Sequence, residues 1–260
     1  MRFKRLLAGA VALFALAGAA GADAPAASYL AGREPDVMAV LPPAPAANSA
    51  RDVADRDIFR KTRALEGTPR WSLATADAKL SIGYLFADFS CAAGVTLTPE
   101  DAPRLAAMFV KAAPDIVAAV DVPKDAYKRA RPFTRDAGDI CIPKSGEFSK
   151  SYDYPSGHAT GAWAFGLILG QVTPGRAGPI LERARAFGES RVVCGVHNAS
   201  AVEAGRLAAD TVVAALDNDD AFRADLAGAR AEMTALRASA PAPDPALCKS
   251  EAALTATTPW

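Results

Sequence analysis

Two histidines are all that this 260-residue chain contains, and each stands beside residues able to hold an anion. His158 lies in "DYPSGHATG" and His197 in "SRVVCGVHNASAVEAG". An imidazole with its ordinary pKa near ~6.5 trades protons in mildly acidic to neutral water, so one neutral ring can attack while a second, protonated ring donates. Pro155 ends whatever precedes it, and Ser156 is a good N-cap for the apolar helix that follows. That puts His158 in a first turn, where backbone N–H groups are unpaired and the helix dipole is positive, and Gly157 lets a ligand come close to the backbone. Arg191, six residues before His197, offers paired donors to a phosphoryl group. A third stretch, "KDAYKRARPF", gathers Lys124, Lys128, Arg129 and Arg131 ahead of Pro132. Taken singly, these are a solvated basic helix end, an ordinary capped helix and a helix-end arginine with a surface histidine. Taken together they describe a phosphate clamp with two proton-transfer groups.

The order and spacing of the three stretches resemble the signature of the phosphatidic acid phosphatase type 2 and vanadium haloperoxidase superfamily: K-x6-RP, then PSGH, then SR-x5-H-x3-D. Lys124, Arg131 and Pro132 fit the first part; Pro155, Ser156, Gly157 and His158 the second; Ser190, Arg191 and His197 the third. Phrases such as "ALEGTPRW" and "KDAYKRARPF" look most like the class A bacterial non-specific acid phosphatases, over roughly residues 28–238. The resemblance implies that His197 attacks phosphorus to give a phosphohistidine and that His158 protonates the leaving alcohol, then helps activate water. It also implies that Lys124, Arg131, Arg191 and the backbone of Ser156 and Gly157 hold the phosphoryl oxygens. The implied substrates are small phosphate monoesters, with no cofactor and no metal. Phosphoryl transfer through a loose transition state asks chiefly for positioning and fixed positive charge, which three cations and a helix N-terminus supply.

One position departs from the pattern. The acid expected four residues after the nucleophile is Ala201. Such a carboxylate fixes the tautomer of its histidine and stabilises its positive charge; spoiling the equivalent group in a Ser-His-Asp triad lowers turnover by about 10⁴. Glu203 is near enough in sequence to substitute, but Ser200-Ala201-Val202-Glu203 also has the form of a capping box, which would occupy that carboxylate at a helix start. Asp153 or a backbone carbonyl is a further acceptor for the imidazole N–H. The sequence therefore supports a phosphatase slowed by Ala201, and as its alternative a catalytically impaired phosphate-ester or oxyanion binding protein on the same fold.

The elements that must position these groups read as helices. Ser49 caps a helix to about Leu65, and Trp71, Ala74, Ala78, Ile82, Leu85 and Phe89 mark one buried helical face. Thr98-Pro99-Glu100-Asp101 reads as the start of a helix that ends or kinks near Pro114 and continues at most to about Val120. Further helices are expected at 157–171, 179–193, 201–216 and 219–238. Long alternation of Val, Ile and Thr with polar residues is absent, so the fold class is all-α, one bundle over residues 49–238. Residues 23–48 form an Ala/Pro-rich arm and 239–260 a similar tail. Trp163 and Phe165 belong to the core, while Tyr127 and Tyr154 flank the motifs and are candidates to line a pocket.

Residues 1–22 have the basic start, apolar run and small-residue end of a secretory signal, so the mature chain is expected in the periplasm. The later sequence has no run long enough to span a membrane. Lys plus Arg equal Asp plus Glu at 29 each, which leaves no global field for nucleic acid or anionic lipid. The even set Cys91, Cys141, Cys194 and Cys248 points to two disulfides in any of three pairings. No two cysteines have the spacing of a zinc site, and a homodimer through exchanged arms is compatible with the layout. Vanadium haloperoxidases share the motifs on usually longer chains, and lipid phosphatases of the superfamily usually carry several membrane spans.

Overall fold

A computed structural model of the protein describes residues 28–260, so the signal expected over 1–22 lies outside the described residues. The described chain is helical with no strand: α1 Val37–Val40, α2 Ala50–Thr62, α3 Pro69–Ala76, α4 Ile82–Ala93, α5 Pro103–Tyr127, α6 Gly146–Lys150, α7 Gly157–Val172, α8 Ala177–Val193, α9 Ala199–Leu216, α10 Asp220–Ser239 and α11 Pro245–Thr255. None of these helices is long and apolar enough to cross a membrane. The all-α reading holds.

Helix α7 is the axis of the bundle. It is apolar on every side, as a helix enclosed by others must be, and α8, α9, α5 and α10 pack around it. Phe165 sits at its centre with Phe86, Phe89 and Phe109 at centroid distances of 5.5, 5.1 and 5.1 Å. Offset and edge-on rings of this kind add to the area they bury. The start of α9 presses against the start of α7: a Cβ on Gly205 would stand 2.7 Å from the Ser156 carbonyl oxygen, so only glycine fits there. This contact brings the motif around His158 to the motif around His197.

Three helix readings need correction. The period from Trp71 to Phe89 spans two helices, α3 and α4, broken at Asp77–Ser81, because the turn keeps the apolar spacing in phase. Helix α5 begins at Pro103; Thr98 and Asp101 instead close a turn, with Asp101 N–H donating to Thr98 Oγ1 at 3.1 Å. Glu232 of α10 takes the first free N–H groups of α5, from Arg104 at 2.9 Å and Leu105 at 3.0 Å. The same helix runs through Pro114 and Pro123 to Tyr127. A proline within a helix costs about 3 kcal/mol, but burial of Leu105, Met108, Ala112, Ile116 and Ala119 on one face outweighs it. That extension matters for function, since it carries Lys124 into the site.

Residues before α2 and after α10 are tied to the bundle. Tyr29 and Leu30 are buried and donate their N–H groups to Asp115 Oδ2 of α5 at 3.1 and 3.3 Å. Cys91 of α4 is joined to Cys248 of α11, and Cys141 to Cys194 at the end of α8, which selects one of the three pairings.

Candidate active site

His197 reaches its place through a short turn after α8. Gly195 turns the chain with φ +79°, and a Cβ there would lie 2.6 Å from Arg63 Nη1. The ring that follows is 4% exposed. Its Nδ1 lies 2.7 Å from the Asp153 carbonyl oxygen and 3.1 Å from Asp153 Oδ1. Its Nε2 lies 3.0 Å from Arg131 Nη1. A carbonyl oxygen only accepts and a guanidinium only donates, so the proton sits on Nδ1 and Nε2 presents a lone pair. Both neighbours select the tautomer that a nucleophile needs.

Asp153 thus makes the contact with the imidazole that an acid at position 201 is expected to make. Its carboxylate also accepts from Asn198 N at 3.1 Å and Asn198 Nδ2 at 2.8 Å, and pairs with Arg129 Nη1 at 3.2 Å. Burial pushes the Asp153 pKa up, while Arg129 and the Asn198 donors pull it down. Arg129 in turn pairs with Asp55 at 2.9 Å and Asp52 at 3.2 Å on α2 and donates to Ser200 Oγ at 2.7 Å. Ala201 is fully buried in the core, where its carbonyl accepts the Ser156 N–H at 2.9 Å.

The capping-box reading of Ser200 and Glu203 does not survive. Asp55 Oδ1 accepts the Ser200 N–H at 3.0 Å, and Glu203 is exposed and paired with Arg51. A carboxylate from α2 caps the start of α9 from outside, so Glu203 serves neither the cap nor His197.

The cations converge on the same place. Arg131 is held by the Ser151 hydroxyl at 3.0 Å and the Val196 carbonyl at 2.7 Å, beneath the Phe148 ring of α6 at 4.3 Å. Lys124 donates to the Tyr152 carbonyl at 2.8 Å. Arg191 is 2% exposed, yet among the described residues the one hydrogen bond of its guanidinium is a 3.4 Å contact with the Asp77 carbonyl. Among the described residues nothing accepts from its Nε. A buried guanidinium with most donors uncommitted is costly unless an anion completes it. Burial and mutual repulsion lower the pKa of Lys124 to about 8, and burial lowers Arg131 and Arg191 to about 10.

Ser156 caps α7, its Oγ accepting from Ala159 N at 3.4 Å. Its own N–H is committed to Ala201, which leaves the N–H groups of Gly157 and His158 without an acceptor among the described residues. His158 Nε2 lies 3.1 Å from the Ala78 carbonyl and must donate to it, so Nδ1 is the nitrogen available for proton transfer. The Asp77 turn therefore touches both Arg191 and His158. Asp77 itself is fixed by Arg183 at 2.6 Å and by the Ser190 hydroxyl at 2.5 Å. Asp77, Arg183 and Asn198 escaped the sequence reading, since nothing in their spacing signals a shared site, and Arg129 was read only as one of a group of basic residues. Tyr154 is buried, with its hydroxyl on the Pro42 carbonyl at 2.7 Å, and it steadies the chain before α2. Among the described residues no cluster of three His, Cys, Asp or Glu side chains is placed to hold a metal ion.

Burial and the three cations depress both histidines, His158 to about 3 and His197 well below its usual value. A histidine whose folded pKa lies below its unfolded one favours the folded state above pH ~6.5, and that stability is lost as pH falls. For His158 the loss reaches roughly 2 kcal/mol by pH 5 at 1.36 kcal/mol per unit. His158→Asn should accordingly flatten the fall in unfolding free energy between pH 6.5 and 4.5, read by urea titration. An unchanged slope would show that His158 titrates normally in the folded protein.

The PAP2 superfamily pattern matches residues 105–216, which span Lys124 to the end of α9. An acid phosphatase of Zymomonas mobilis is 40% identical over 83% of this chain and 82% of its own length. Non-specific acid phosphatases of Providencia stuartii and Salmonella typhi are 35% and 33% identical, over 78% and 74% of this chain and 82% and 78% of theirs. At these identities over most of its length, the chain belongs to the acid phosphatases of the PAP2 superfamily.

Proposed function

We propose that the protein is an exported acid phosphatase that hydrolyses small phosphate monoesters through a phosphohistidine on His197, with Asp153 supplying the acid that position 201 lacks. The observation that carries this reading is the His197 ring, held at Nδ1 by Asp153 and offering Nε2 beside Arg131. A phosphoryl group enters against Lys124, Arg131, Arg191 and the open N–H groups at the start of α7. Their charge draws in the anion and then stabilises the equatorial oxygens of the transition state. His197 Nε2 forms the P–N bond as the P–O bond to the alcohol breaks. His158 Nδ1 gives its proton to the departing oxygen. The bound dianion offsets the three cations and so raises the pKa of His158 towards the range in which it carries that proton. In the second half His158 takes a proton from water, the water oxygen attacks phosphorus, and His197 is released with inorganic phosphate.

Asp153 has two functions in this scheme. Its carbonyl fixes the tautomer, and its carboxylate offsets the positive ring of the phosphohistidine. Residues 1–22 and the two disulfides support export to an oxidising compartment, the periplasm. The test is turnover of p-nitrophenyl phosphate with EDTA present, followed by rapid alkaline quench of the enzyme on a radiolabelled monoester. Acid-labile label should accumulate on the natural protein and be absent from His197→Ala. Turnover abolished by EDTA, or label retained in His197→Ala, contradicts the scheme.

A further inference from the structure

The site opens on one side into a groove of about 540 Å³ between the start of α4, the middle of α5 and the start of α7. Lys124, Gly157 and His158 are among its lining residues. Away from them the walls are apolar, with Leu80, Ile82, Phe109, Val110, Val117 and Val120 among the lining residues, and Asp121 is the one further charge. Leu80, Val110 and Val117 are 39, 53 and 54% exposed, an unusual outlay of large aliphatic surface on one patch. The lining residues of α5 run from Phe109 to Lys124, which at 1.5 Å per residue is about 23 Å of helix.

Resting on the phosphatase reading above, the geometry points to a substrate class: monoesters of apolar alcohols, with the hydrocarbon lying in this groove. His158 belongs to both the site and the groove. It must touch the leaving oxygen, and it is also a wall of the groove, so the first carbons of the alcohol start in the groove beside it. A Cβ on Gly157 would lie 3.5 Å from Val120 Cγ1, so the start of α7 and the groove wall are already within a methyl group of contact. A nucleoside or sugar would lay its hydroxyls against aliphatic side chains there and leave them without partners. An alkyl or aryl group would lose only water.

The experiment is kcat/KM for a series of primary alkyl phosphates from ethyl to decyl, each below its micelle-forming concentration, with glycerol phosphate and p-nitrophenyl phosphate alongside. Burying one methylene favours binding by an amount equal to about fourfold, so a half-open groove should give two- to fourfold per added carbon until its end is reached. Val117→Asp should flatten that slope. Val53→Asp, at an equally exposed valine on α2 outside the groove, should keep it. The slope is a ratio within each variant, so a loss of stability does not imitate its loss.

A flat series in a natural protein that turns over p-nitrophenyl phosphate overturns the groove assignment and leaves the phosphatase reading intact. Failure to turn over any monoester sinks the phosphatase reading itself. Sedimentation covers the remaining occupant: a dimer that Val117→Asp converts to monomer, together with a flat series, would assign the groove to a second copy of the chain.

Discussion

Arg191→Met is expected to lower kcat/KM for phosphate monoesters by roughly 10³- to 10⁵-fold, the range spanned by arginines that stabilise phosphoryl-transfer transition states. The same substitution should leave the melting temperature of the ligand-free protein unchanged or raised. Both follow from one feature: Arg191 is buried at the end of α8, where among the described residues its guanidinium has one long hydrogen bond and an Nε without an acceptor. It contributes little to the empty fold and is repelled by Arg131 across the site. Methionine fills similar volume without the charge. Arg191→Lys should restore only part of the loss, because an ammonium cannot present two parallel donors to a phosphoryl group. A methionine variant within tenfold of the natural rate, or one that is strongly destabilised, would make Arg191 a structural residue.

Asp153→Asn is expected to reduce kcat on the order of 10²-fold, well short of the 10⁴ seen when a triad carboxylate is spoiled. The difference lies in the 2.7 Å contact from His197 Nδ1 to the Asp153 carbonyl, which no side-chain change removes and which keeps the tautomer correct. What is lost is the negative charge beside the phosphohistidine. The variant should also be less stable by about 1–3 kcal/mol, since an amide nitrogen in place of Oδ2 would face Asn198 Nδ2 and Arg129, and in place of Oδ1 would face Asn198 N and His197 Nδ1, donor against donor either way. Rates must therefore be read well below the melting transition. Phosphorylation of His197, followed by single-turnover quench, should slow more than substrate binding weakens. A purely structural Asp153 would instead shift both together with the folded fraction.

The five residues that the motif resemblance singles out, His197, His158, Lys124, Arg131 and Arg191, lie close together in the fold, and their stretches were legible because a motif keeps residue type and spacing. The packing helices from α7 onward were legible for a similar reason, since caps and apolar periods are local. Less could be read where tertiary contacts override local rules. Pro114 and Pro123 argue for a break, yet a buried face carries α5 through both. Glu203 has capping-box spacing, yet Asp55 from a distant helix takes the N–H group first. The most telling case is the acid. Position 201 reads as a loss because sequence spacing speaks only of neighbours along α9. Asp153 stands 44 residues before His197 and arrives only because α9 packs on the start of α7. Its neighbour Arg129 looked like one more basic residue in "KDAYKRARPF", and in the fold it ties Asp153 to Asp52 and Asp55.

The most direct measurement is a double-mutant cycle on kcat with Asp153→Ser, Ala201→Asp and the two combined. Asp153→Ser should lose charge stabilisation. Ala201→Asp alone should also lose activity, because it buries a second carboxylate in a fully enclosed position where Asp153 already holds the available donors. The combined variant should be faster than either single one, with Asn198 and Arg129 free to serve the acid at its new place. If Ala201→Asp instead accelerates the otherwise natural protein, or Asp153→Ser keeps the full rate, then His197 works without the Asp153 carboxylate and the central claim is wrong.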